Sequence, residues 1–324
     1  MRHLFLLSTI AFVALNAPTT LSAQGAGRMN PIIALQEKGL PIFGISHPAI
    51  VARPGGGRGR GGAPAAGAAA DAPPAPPPPA IVLSEVAKET VDYKRADYLF
   101  TSGTSETFLR YMEEITKAGG SMRTHPFSAK IGIWHASPAN SANAIVRQLN
   151  AGHVAVSAEA VESAQEVREV IKAMRFASAG GTRPDTGLAN AAAYWGLTEA
   201  QYKKKADVWP INKNGELLVT VIIESIEGLA HAREIAAEPG VGQIFAGYGT
   251  LGGVFRNDPA GREAAAAQIL AACKEFKIPC GFPTNNATEM EQRMKEGWTV
   301  HIMQRRNEDG FGAVEAGRTL SGRK

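Results

Sequence analysis

Between residues 41 and 304, short apolar runs of strand length recur eight times, and segments with apolar residues spaced by three and four fill the intervals. The strand-like runs are PIFGI (41–45), DYLFTS (97–102), KIGIWHA (130–136), HVAVSA (153–158), ELLVTVII (216–223), QIFAG (243–247), IPCGF (278–282) and TVHIMQ (299–304). Helical periodicity marks SETFLRYMEEITKAG, VESAQEVREVIKAMRF and REAAAAQILAACKEF, among others. Strands that are nearly all apolar are covered on both faces, which implies a parallel sheet wrapped by helices. Eight such units in about 280 residues predict an α/β fold of the (β/α)8 TIM barrel type, with an open doubly wound sheet as the alternative. In a barrel, chemistry sits at the carboxyl ends of the strands.

The chain's ends set its context. MRHLFLLSTIAFVALNAPTTLSAQ places a basic head before an apolar run and a small-residue site at Ala23, the pattern of a secretory signal peptide. Residues 1–23 are therefore expected to be removed, leaving residues 24–324 as a single barrel domain in the periplasm or outside the cell; an uncleaved anchor is the alternative. No other run approaches the roughly 20 apolar residues of a membrane span, so the mature chain is expected to have none. A segment at about residues 53–81 is almost wholly Gly, Ala, Pro and Arg, too poor in apolar side chains to offset its ordering entropy. We read it as a disordered insertion, and a linker with an unfolded N-terminus is the competing reading.

The net charge of +4 comes from 34 Lys and Arg against 30 Asp and Glu. The basic residues form no concentrated face, so nucleic acid is not expected as a partner. Tyr202–Lys205, Arg305, Arg306 and the tail GRTLSGRK read as solvated surface. Cys273 and Cys280 bracket KEFKIP. Pairing is open to them in an oxidising compartment, but a helix end and the next strand rarely bring two Cα atoms within about 7 Å, so the expectation is two free, buried thiols.

The stretch IFAGYGTLGG carries glycines at 247, 249 and 252, the spacing of a dinucleotide-binding turn. Such a turn opens a helix directly and is followed about 20 residues on by an acid at the end of the next strand. Here the next strand ends in GFPTNN, without an acid. No NAD is expected.

The same residues carry a different likeness. LLVTVIIESIEGLAHAREIAAEPGVGQIFAGYGTLGG resembles the central signature of the HpcH/HpaI aldolase and citrate lyase family: strand, Ile-Glu-Thr, helix, PGVD, strand, then Gly-Pro-x-Asp-Leu. RMNPIIALQEKGLPIFGI and NAGHVAVSAEAVESAQEVREVIKAMRFA are similar to its opening unit and its fourth βα unit. The resemblance implies a (β/α)8 barrel and a carbon–carbon lyase acting on a 2-oxo acid. It also implies a divalent metal of the Mg, Mn or Co kind that stabilises an enolate, and assembly into trimers or hexamers.

Carried over by position, the family's metal glutamate is Glu224 and its metal aspartate is replaced by Thr250. Its histidine base falls on Ser105, and its carboxylate-gripping arginine on Gly132 or Ile133. Glu159 is the nearest candidate to restore the missing metal charge, and His135 to replace the base, each from strand position alone. The glycines are expected to make a tight turn that presents the Gly249 and Thr250 amides to a ligand carboxylate. Two functions follow: an exported aldolase-like lyase, or a catalytically degenerate barrel that binds a small ligand or a protein partner outside the cytoplasm.

Overall fold

The computed structural model describes residues 27–50, 80–93, 95–101 and 105–323. The expected signal peptide lies outside the described residues, as does nearly all of the 53–81 insertion. Eight parallel strands close on themselves: β1 Ile42–Ser46, β2 Tyr98–Thr101, β3 Phe127–Ile131, β4 Ala155–Ala158, β5 Leu217–Ile223, β6 Gln243–Ala246, β7 Cys280–Pro283 and β8 Val300–Met303. β1 pairs with β2 and with β8, and β4 pairs with β5, which shuts the ring. A two-residue strand, Val208–Trp209, pairs beside β5. The (β/α)8 barrel is thus present, and the open sheet is excluded by closure.

Inward positions fill the barrel in layers. Gly44 is small because Tyr98 lies across it: a Cβ there would meet the ring at 2.2 Å. Gly281 yields in the same way to Phe245. Ser128 and Ser157 touch at 3.2 Å, and the Thr220 hydroxyl donates to Gln243 at 3.0 Å, so a polar layer lies across the barrel interior. The bottom is closed by the helix Pro31–Glu37. Buried Glu216 accepts from the amides of Met29 and Asn30 at 3.2 and 2.9 Å, while the Asn30 side chain caps the helix by accepting from Ile32. Bottom closure leaves the carboxyl ends of the strands as the open face.

The structure corrects three expectations. β3 runs from Phe127 to Ile131, three residues earlier than the apolar run KIGIWHA suggests. The reason is amphipathic: Phe127 is wanted outside, against Phe108, Tyr111 and His153, which fixes the register and moves Trp134 and His135 into the following loop. Next, Cys273 and Cys280 form a disulfide with Cα atoms 5.8 Å apart. The helix Pro259–Phe276 ends at Lys277 in the left-handed region (φ 57°), and Ile278 donates back to the Cys273 carbonyl. That tight reversal returns the chain alongside the last helical turn, so the separation assumed between helix end and strand does not arise. Last, the basic tail is tied down: Arg323 donates to Asp97 at 2.8 Å and to the Pro41 carbonyl at 2.7 Å, with Arg318 also on Asp97, locking the final helix Glu308–Leu320 over β1.

Candidate functional site

Alternation along β5 sends Thr220, Ile222 and then Glu224 to the inside, the last just past the strand end. They line a cavity of about 70 Å³ at the carboxyl end of the barrel, together with Phe100 from β2, Lys130 from β3, Tyr248–Thr250 after β6 and Gln304 after β8. Among the described residues of that lining Lys130 is the one cation and Glu224 the one carboxylate.

Glu224 is 9% exposed. Burial raises its pKa above the ordinary carboxylate range, and the negative charge of Glu159 adds to this. The nearby Thr250 hydroxyl, the Lys130 charge and the Ala160 amide oppose the rise. Ala160 holds a φ of 48°, a left-handed conformation rare for a residue with a Cβ. Strain of that kind persists where the surroundings over-determine it; here Val161 donates to the Ile222 carbonyl at 3.1 Å, which pins the β4 loop against the end of β5.

Lys130 bonds to Glu159 at 2.6 Å, the two side chains being 25% and 24% exposed. Its ammonium also lies 5.9 Å from the centre of the Phe100 ring. A lysine inside an otherwise apolar strand is the signal that sequence reasoning passed over. Starting β3 at Lys130 placed that residue at the strand's foot, whereas the true register puts it next to last, facing the mouth.

The glycine stretch is not a turn. Tyr248–Val254 is a short helix directly after β6, with Gly247 as its N-cap at φ −72°. Among the described glycines with positive φ, none belongs to this stretch, so backbone freedom is not their use. Gly247 gives space to Glu224, and Gly249 has no atom within 4 Å of its Cβ position and so leaves the cavity open. The first-turn amides, at Tyr248, Gly249 and Thr250, have no acceptor within the helix, and all three residues line the cavity. The helix is clamped from behind. Arg262 lies over the Tyr248 ring, 3.4 Å from its centre, and donates to the Tyr248 carbonyl; the Tyr248 hydroxyl meets Glu263, which Arg293 holds bidentately at 2.9 and 3.0 Å.

The remaining candidates lie apart. His135 is 41% exposed in the loop after β3 and bonds through Nδ1 to Glu166 at 3.1 Å. With Glu162 and Glu166 it makes the one group of three potential metal ligands found among the described residues, its ligand atoms all within 4.8 Å of one another. Glu166 already has a structural task, accepting from the Glu162 amide at 3.0 Å at the start of the helix Ala164–Met174. Ser105 caps the helix Glu106–Lys117 by accepting from Phe108 at 3.2 Å. Gly132 offers the Ser141 hydroxyl its carbonyl at 3.2 Å. Glu224, Gly249 and Thr250 are therefore brought together, Glu159 joins them through Lys130, and His135 does not line the cavity.

The fold recurs in known proteins. An HpcH/HpaI aldolase/citrate lyase family protein from Burkholderia cenocepacia J2315 superposes with a TM-score of 0.61 at 18% identity, over 89% of this chain and 97% of that one. An HpcH/HpaI aldolase from Desulfitobacterium hafniense DCB-2 gives 0.59 at 14% identity, over 85% and 90%. In sequence, a hydroxypyruvate/pyruvate aldolase of Paraburkholderia phytofirmans (strain DSM 17436 / LMG 22146 / PsJN) is 29% identical over 165 residues, 50% of this chain and 61% of the relative. One of Delftia acidovorans (strain DSM 14801 / SPH-1) is 33% identical over 107 residues, 33% of this chain and 36% of the relative. The chain thus matches less than two thirds of the length of either curated relative. The profile described as HpcH/HpaI aldolase/citrate lyase matches residues 136–301, a little over half of the chain. The chain belongs to the HpcH/HpaI aldolase/citrate lyase family.

Proposed function

We propose that the barrel mouth binds a small 2-oxo acid and cleaves a carbon–carbon bond next to its keto group. The observation that carries this reading is the placement of Glu224 and Lys130 as the only carboxylate and the only cation among the described residues that line one strand-end cavity. Lys130 and the first-turn amides of Tyr248–Thr250 attract a carboxylate. Glu224 is the carboxyl within reach of the bound ligand to exchange a proton. The relatives named hydroxypyruvate/pyruvate aldolases make pyruvate and hydroxypyruvate the first compounds to test.

A divalent metal, implied by the family, supplies Lewis-acid stabilisation of an enolate where it is bound. The donors at this mouth do not fit it. A hard cation needs carboxylate oxygens, and among the described residues the mouth offers Glu224, a neutral Thr250 hydroxyl, and a Glu159 already paired with Lys130. No step of the reading runs through a metal at Glu224.

Cleavage of 4-hydroxy-2-oxo acids, measured with Mg, Mn or Co and again in chelator, tests the proposal. No turnover above a Glu224→Ala control sinks it. Thr250 in place of the family aspartate favours a second reading, ligand binding without turnover, which calorimetry with 2-oxo acids separates from the first. We further propose export to the periplasm or beyond, supported by the N-terminal apolar pattern and by a Cys273–Cys280 disulfide suited to an oxidising compartment. Trimeric or hexameric assembly is proposed on family likeness alone.

A further inference from the structure

The misfit at the metal position has a counterpart elsewhere in the same cavity. We propose that Lys130 supplies, from the protein itself, the positive charge that the family's resemblance assigns to a bound divalent ion, so that this barrel holds 2-oxo acids and their enolates without a metal. The inference rests on the 2-oxo acid reading of the mouth and adds the residue that replaces the ion.

Three observations carry it. Lys130 is fixed by the barrel: its backbone is paired with Ser157 across β4, and its carbonyl accepts from Gln148 at 2.7 Å. Its ammonium is oriented by Glu159 at 2.6 Å. An ammonium has three donors, so a single bond to Glu159 leaves two for a ligand. Finally, a neutral Thr250 stands where the resemblance places one of the negative charges a metal would need, beside Glu224 in the same lining. With one acid lost the site is less able to hold a dication, and Lys130, next to last in the third strand, keeps a cation there for an anion.

The chemistry needs such a charge. When the C3–C4 bond of a 4-hydroxy-2-oxo acid breaks, the 4-hydroxyl proton passes to the Glu224 carboxylate and the departing fragment leaves as an aldehyde. The C3–C4 electron pair becomes the C2–C3 double bond, and the carbonyl pair moves onto O2. The negative oxygen so formed needs a nearby cation, and return of the proton to C3 completes the oxo acid product. A fixed ammonium at the cavity stabilises that oxygen without reorganising.

Oxalate, which mimics the enolate of pyruvate with two carboxylates, is the probe. Calorimetry on the full chain with EDTA, and with added Mn²⁺, compares the wild type with Lys130→Met and Lys130→Arg, each checked by circular dichroism and thermal melting. Expected is wild-type binding unchanged by EDTA, weakened by salt, reduced at least about tenfold in Lys130→Met and held within about threefold in Lys130→Arg. Binding lost in EDTA and restored by Mn²⁺ overturns the inference while leaving the 2-oxo acid site standing, and needs no variant. Lys130→Met binding like the wild type overturns it as well. No oxalate or pyruvate binding under any condition removes the proposed function and this inference with it. Reductive trapping of pyruvate on Lys130 by borohydride overturns the electrostatic role in favour of a covalent one.

Discussion

Gly247 lies where its missing side chain makes room for Glu224. A Cβ at that position falls 2.3 Å from the Glu224 Cβ and 2.4 Å from its Oε2, and the Gly247 amide donates to the Ile223 carbonyl at 2.9 Å. Backbone and carboxylate are thus packed in contact, and neither can move alone. Gly247→Ala is expected to expel the Glu224 side chain from the cavity, to cost about 1–3 kcal/mol of stability, and to abolish any turnover that Glu224→Ala abolishes. Thermal unfolding and the cleavage assay check it; a variant with wild-type values in both refutes the contact's importance.

Thr250, which the family resemblance aligns with a second metal carboxylate, lines the same cavity as Glu224. Thr250→Asp places two acids side by side, so the metal-free variant is expected to lose on the order of 1 kcal/mol by like-charge repulsion. It is also expected to bind Mn²⁺ at least about tenfold more tightly than the wild type. Melting temperature against Mn²⁺ concentration reads both effects. Equal Mn²⁺ responses in the two proteins contradict this account of the missing acid.

The Cys273–Cys280 bridge closes a short loop, with a sequence separation of 7. Loop-closure entropy for so few residues is worth about 2–3 kcal/mol, or roughly 4–6 °C in a domain of this size. Melting with and without reductant, alongside the Cys273→Ala/Cys280→Ala double variant, is expected to show that drop in the wild type and no effect of reductant in the variant.

Burial pushes the imidazoles of His153 and His301 down to about 4 each. An unfolded histidine titrates near 6.5, so between about pH 6.5 and 4 the unfolded chain binds more protons than the folded one. The stability these neutral rings contribute is complete above about 6.5 and falls as the pH drops toward 4. Each contributes a slope near 1.4 kcal/mol per pH unit in that window. Denaturant unfolding from pH 7 to 5 is expected to show this loss, with the slope reduced by about one proton in His301→Gln; a flat profile rules it out.

Much of the fold was legible because it rests on local patterning. Eight apolar runs with helical periodicity between them require a covered parallel sheet, and seven of the eight strands lie within a residue or two of their runs. β3 slipped because Ile133 and Trp134 extend the apolar signal past the strand into a loop. The strand's start at Phe127 is set by rings contributed from elsewhere, Phe108 and Tyr111 among them. The Cys273–Cys280 pairing was hidden for a related reason, since the left-handed Lys277 that reverses the chain carries no glycine to announce it.

The sequence by itself determined the barrel, the strand-end position of Glu224 and the absence of an aspartate at residue 250, since each depends on periodicity or on one residue's identity. Tertiary structure decided what those residues meet. It turned IFAGYGTLGG from an expected turn into a helix with space for a carboxylate. It also set Lys130 across from Glu224 and moved His135 away to Glu162 and Glu166. Such choices depend on register and on side chains from distant strands converging at one mouth, a three-dimensional sum that no window along the chain contains.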